Sequence, residues 1–181
     1  MIATFSIPQR VFSSMRRHLL PRSTRNEQAG FVFAHATREP LSTSFDFVEW
    51  LPLEARHFNH QSPTHLELRD ETRAEVIKHA HDLGCSLIEF HSHPGPWPAQ
   101  FSGSDFAGFR EFVPHVLWRL KGKPYAAAVV APSGVDALAW ISPSEILRVQ
   151  SIMLGFDRVT PTGLSMNAVE KGIAWNISTE M

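Results

Sequence analysis

The stretch IEFHSHPGPWPAQFSGSDFAGF, residues 88–109, decides how this chain is read. An apolar run ends in two histidines one residue apart, a proline-rich loop follows, and then comes Ser-Gly-Ser-Asp. Side chains alternate along a strand, so His91 and His93 project from one face, about 7 Å apart along it. Ser102 or Ser104 can cap a helix that starts here, and Asp105 falls in its first turn, on the same face as Ser102. Two neutral imidazoles and one carboxylate make a three-ligand set for zinc. Such a set leaves a fourth position open for water, which marks a catalytic rather than a structural site. The plain alternative is a turn between a strand and a helix that carries two surface histidines.

Working outward, CSLIEFHSH (85–93) is apolar enough for a central strand, and RDETRAEVIKHAHDLG (69–84) before it has helix punctuation. Asp70 can cap that helix, acids fill its first turn, and Gly84 can end it. After the quoted stretch, the helix runs through Phe109 and Phe112 until Pro114 ends or kinks it. YAAAVVAPSGVDALAWI (125–141) reads as two strands about a Pro-Ser-Gly turn, and PSEILRVQSIML (143–154) as a short helix with Pro143 in its first turn. Upstream, ATFSIP (3–8) is a short strand, and QRVFSSMRRHLL (9–20) is a helix with Val11, Phe12, Met15 and Leu19 on one side. EQAGFVFAHA (27–36) is a buried strand whose antiparallel neighbour is the alternating SFDFVEWLPL (44–53). HFNHQSPT (57–64) reads as a polar loop. Helices alternate with strands, yet the hairpins demand antiparallel pairs. The expected fold is therefore α/β, a mixed curved sheet flanked by helices, in one domain over 1–155 with a weakly patterned tail over 156–181.

Composition narrows the function. Of 181 residues, 43% are apolar and 19% charged, ordinary for a globular chain. Lys plus Arg is 17 against 18 for Asp plus Glu, which argues against a protein built to bind nucleic acid through phosphates. Arg16, Arg17, Arg22 and Arg25 can form at most a local basic patch. Cys85 is the single cysteine, so no disulfide forms within the chain, and it reads as a buried thiol. No apolar run reaches membrane-spanning length, and MIATFSIPQRVF lacks the pattern of a secretory signal. A reducing, cytoplasmic setting is the expectation. The ten histidines are the first compositional hint of metal or proton chemistry.

The full string H-S-H-P, a rigid loop and S-x-x-D at a helix start resembles the signature of the JAMM metalloproteases, the JAB1/MPN/Mov34 domain. That family also carries a glutamate upstream in an E-x-x-G pattern, matched here by Glu27 and Gly30 in NEQAGFVFA (26–34). Glu49, Glu54 and Glu89 are the competing carboxylates; Glu89 shares a strand face with His91 and reads either as its partner from behind or as a group at the edge of the core. The resemblance spans Val11 to Ile141 and implies an architecture akin to cytidine deaminases. A deaminase itself would need a P-C-x-x-C ligand pair that one cysteine cannot supply. It implies Zn²⁺ on His91, His93 and Asp105, with Glu27 as general base. Ser102 is either the oxyanion donor or simply the helix cap. The loop from Pro94 to Phe101 is one residue longer than the family's usual spacing. Trp97 and Phe101 in or beside it are packing anchors or substrate contacts, packing being the preferred reading, and the HFNHQSPTH region either lines a groove or is a plain polar surface.

The resemblance further implies hydrolysis of an amide after the C-terminus of a ubiquitin-like protein, in deconjugation or in precursor processing. The implied partners are that protein and its conjugates, with E1-like and E2-like enzymes where the bacterial relatives serve antiphage operons. Two other classes stay open: a non-catalytic MPN scaffold, which would hold no stoichiometric zinc, and a RadC-like relative associated with nucleic acid.

Overall fold

The computed structural model describes residues 1–172. The chain opens with β1 (Ile2–Ser6) and α1 (Gln9–Leu19), then the hairpin of β2 (Ala29–Arg38) and β3 (Ser42–Pro52). A short 3₁₀ turn leads into β4 (Phe58–Gln61) and β5 (Leu66–Leu68), followed by α2 (Asp70–Leu83), β6 (Ser86–Ser92) and α3 (Gly103–Arg119). Three long strands come next, β7 (Tyr125–Ala131), β8 (Gly134–Ser142) and β9 (Glu145–Leu154), then β10 (Asp157–Val159) and α4 (Leu164–Glu170). The expected α/β class holds. The main sheet runs β1-β3-β2-β6-β7-β8-β9-β10, with β6–β7 parallel and the β2–β3, β2–β6, β7–β8 and β8–β9 pairs antiparallel. Its curvature is complete, because β1 also pairs in parallel with β9 and closes the sheet on itself. Closure removes the free edges that an open sheet would expose.

Two apolar layers follow from strand alternation. On β6, Ile88 and Phe90 join the layer under α1, where Phe12, Met15 and Leu19 are buried. Leu87 points the other way, into the layer shared with α2 and α3 through Val76, Ile77, Phe109 and Val113. That second face carries Glu89 and His91 as well, by the same alternation.

Several expectations are corrected. PSEILRVQSIML is strand β9, not a helix: Leu147, Val149 and Ser151 are buried at period two, and β8 and β1 satisfy its backbone on both edges. HFNHQSPT is not an open loop, since Phe58–Gln61 pairs with Leu66–Leu68 as a two-stranded sheet anchored by buried Phe58 and Leu68. Arg69, not Asp70, is the cap position of α2, which begins without a side-chain cap, while Gly84 ends it in the left-handed conformation as expected. Pro114 does not end α3, which continues to Arg119. Its lost N–H is outweighed by the burial of Val113, Val116 and Leu117. The expected tail is partly built into the fold as β10 and α4, and residues 173–181 of it lie outside the described residues. Among the described residues, no helix is long and apolar enough to cross a membrane.

Gly30 of the E-x-x-G pattern has a packing reason. A Cβ there would lie 2.2 Å from Trp50 Cη2 and 2.7 Å from the Leu51 carbonyl oxygen, because the indole lies across the backbone of β2. Gly30→Ala is expected to destabilise the fold by about 1–3 kcal/mol through this overpacking. Urea denaturation checks it, and an unchanged midpoint would show that the indole moves aside freely.

Candidate metal centre

His91 is the penultimate residue of β6, opposite Ala29 of β2 and Val129 of β7, and is 4% exposed. Ser92 faces away and fixes the strand end: its hydroxyl accepts from Gln28 N–H at 2.9 Å, and its own N–H donates to Gln28 O at 2.9 Å. These bonds carry Glu27 to the mouth of the site. Glu27 N–H donates to Ser62 O at 2.8 Å and Gln61 Nε2 donates to Glu27 O at 2.8 Å, so the β4–β5 hairpin clamps its backbone. His93 lies just past the strand, held by its N–H to Val130 O at 2.9 Å, and its ring centroid is 5.1 Å from that of His91.

Ser102 caps α3 and Asp105 is its reciprocal partner. Asp105 Oδ2 accepts from Ser102 N–H at 2.6 Å and from the Ser102 hydroxyl at 2.8 Å, while Asp105 N–H donates back to Ser102 Oγ at 3.2 Å. The cap aims the carboxylate at the histidines. Asp105 Oδ1 is 3.5 Å from His91 Nε2, and Oδ2 is 3.3 Å from His93 Nε2. One ligand atom from each of His91, His93 and Asp105 falls within 4.8 Å of the others, so the trio can hold a metal ion. Glu27 Oε1 stands 3.7 Å from His93 Nε2, beside the trio.

The residues fit a cation. Both ring nitrogens of His91 are buried and lack a hydrogen-bond partner, a costly arrangement for bare imidazole and the ordinary one for a ligand. Nε2 faces the cluster, and Nδ1 faces Glu89 Oε1 at 3.6 Å, the carboxylate-behind-histidine arrangement of metal sites. Glu89 is in turn held by the Tyr125 hydroxyl, which donates to Oε2 at 2.7 Å. The electrostatics agree. Burial works to lower the His91 pKa, yet Asp105 and then Glu89 overcome it and push it up to about 10. Burial would raise the Asp105 pKa, but the two histidines hold it well below the usual carboxylate range. Glu27 is raised above its ordinary value, chiefly by burial and further by Asp105, against the opposing pull of His91 and His93.

A cleft of about 360 Å³ opens beside Glu27, His93 and Ser102. One wall is Gly95, Trp97, Pro98 and Gln100 of the long loop, and the other is Pro63 and Thr64 of the β4–β5 turn. Trp97, at 74% exposure, is therefore no packing anchor, whereas Phe101 is buried against His91 and Phe109 as the packing reading expects. Pro63 and Thr64 belong to the HFNHQSPTH stretch, so the groove-lining alternative holds there, while its β4–β5 pairing escapes sequence reasoning because the strands are too short to announce themselves. Tyr125 was legible only as a strand residue, since nothing local ties it to Glu89.

A model of the prokaryotic homologs of the JAB domain matches residues 8–141. The chain belongs to that family. The JAB match ends within β8, so β9, β10 and α4 lie beyond it. The solution structure of protein DSY2949 from Desulfitobacterium hafniense, a structural genomics target, is similar to this JAB chain at a TM-score of 0.52 and 18% identity. The similarity covers 84% of this chain and 92% of that one and supports the shared fold. No curated protein matches the chain.

Proposed function

We propose that this JAB-family protein is a zinc-dependent peptidase that hydrolyses the amide bond following the C-terminal tail of a ubiquitin-like protein. One observation carries the reading: a buried His91 with an unsatisfied Nε2 converges with His93 and Asp105 beside a carboxylate, Glu27, that lies outside the ligand trio. Nitrogen and carboxylate donors, three in number, suit zinc with a position left open. When bound, zinc supplies Lewis acidity to a carbonyl oxygen and to water.

The chain's own residues account for the rest. Glu27, its pKa raised chiefly by burial, takes a proton from water at Oε1 and passes it to the leaving amine. The Ser102 hydroxyl, which donates to Asp105 Oδ2 in the substrate-free cap, is free to turn to a developing oxyanion. Asp105 then keeps the Ser102 N–H, so the cap survives the exchange. Cap and oxyanion donor are thus successive roles of one hydroxyl. The cleft of about 360 Å³ between Trp97 and Pro63 suits an extended tail better than a folded segment. Cytoplasmic partners of the E1-like and E2-like class fit the same reading.

The test uses the full chain loaded with one equivalent of zinc and a panel of bacterial ubiquitin-like proteins fused through their tails to a reporter. Mass spectrometry is expected to show cleavage directly after the tail of at least one of them. Protein that holds zinc and leaves every fusion intact would sink the substrate assignment.

A further inference from the structure

The proline-rich loop that separates the histidines from Asp105 is held from outside at three points. The Ser133 hydroxyl, in the β7–β8 turn, donates to Trp97 O at 3.2 Å. The Thr162 hydroxyl donates to Ala99 O at 2.7 Å, and Phe101 N–H donates to Ser165 Oγ at 2.9 Å. Two of the three anchors belong to the segment entering α4, beyond residues 8–141 that match the family. That segment is itself fixed by Asp136 of β8, which is fully buried. Asp136 Oδ1 accepts from Gly163 N–H at 2.9 Å and Oδ2 from Ser165 N–H at 2.8 Å, while Thr162 N–H donates to Val135 O at 2.9 Å.

We infer that Thr162 and Ser165 are positioning residues of the metal centre, and that the α4 segment, latched by Asp136, is a working part of it. The mechanical path is short. Phe101 precedes Ser102, whose N–H and hydroxyl hold Asp105, and the Phe101 ring packs against that of His91 at 5.6 Å between centroids. Fixing the Phe101 amide therefore fixes one ligand through the helix cap and another through ring contact. Fixing Ala99 holds the cleft wall that Trp97 and Pro98 form. The loop from Pro94 to Phe101 has no helix or strand of its own to hold it, and these bonds limit its freedom.

The inference rests on the metal reading above. The test measures zinc affinity by chelator competition, with zinc alone as the probe and the full chain throughout, below the melting temperature of every variant. Thr162 is exposed and Thr162→Val leaves the core untouched, whereas Ser165→Ala deletes only the acceptor. Each is expected to weaken zinc binding by about tenfold, the range seen when partners outside the ligand shell are removed. Thr162→Ser, which keeps the hydroxyl, is expected to bind as the wild type does. Equal zinc affinity in Thr162→Val, Ser165→Ala and wild type, with or without a lowered melting temperature, would overturn the positioning role and reduce the latch to ordinary packing. A wild-type protein that takes up no zinc would overturn the metal reading instead, and is told apart because the unmutated chain then fails too.

Discussion

Glu27→Gln is expected to bind zinc as tightly as the wild type and to lose about 10²–10⁴-fold in turnover, the usual contribution of a placed general base. The two side chains have nearly the same shape, and the backbone of residue 27 is held by Ser62 O and Gln61 Nε2, neither of which senses the change. An amide, however, cannot accept the proton. No neighbouring carboxylate can take over. Glu89 stands behind His91, on its Nδ1 side, and already accepts from Tyr125, while Asp105 is committed to Ser102 and the histidines. Zinc content and single-turnover cleavage of a ubiquitin-like fusion, measured on the same preparation, check both halves. Wild-type turnover in Glu27→Gln would place the base elsewhere.

The fold was most legible where local pattern and tertiary demand agreed. Phe31, Val32 and Phe33 in a row signal a strand buried on both faces, and both faces of β2 are covered. Gly84 signals a helix end and supplies one. The failure at β9 has a physical source. EILRVQSIML satisfies helical spacing as well as alternation, and only its place between β8 and β1 decides the matter; the β1 pairing comes from the far end of the sequence, outside any local window. Sheet closure was hidden for the same reason, because it depends on β1 meeting β9 across most of the chain. The trio His91, His93 and Asp105, which could hold a metal ion, was legible because the three stand close in sequence and their spacing encodes a strand end and a helix start. The supports around them were not. Tyr125, Asp136, Thr162 and Ser165 bond over 27 to 64 residues of separation, through contacts that any hydroxyl or carboxylate can make somewhere.

Asp105→Asn is expected to weaken zinc binding more than about 100-fold, beyond the cost of altering an outer partner, and to abolish turnover with it. The asparagine is the sharper variant than alanine, because its carbonyl oxygen still accepts from Ser102 N–H and keeps α3 capped while the anionic ligand is lost. Thermal melting supplies a readout independent of activity. Zinc at a hundredfold excess over its dissociation constant stabilises the wild type by about 2.7 kcal/mol, and Asp105→Asn and His91→Ala should show no such gain. The pH dependence has a definite sign. With its pKa pushed to about 10 in the metal-free protein, His91 carries a proton at neutral pH that an incoming ion must displace. Zinc uptake should therefore release protons and weaken as pH falls, which calorimetry in buffers of different ionisation enthalpy will read directly. Asp105→Asn that still melted higher with zinc would mean that the two histidines hold the ion with some other group, and the carboxylate poised between them would need another explanation.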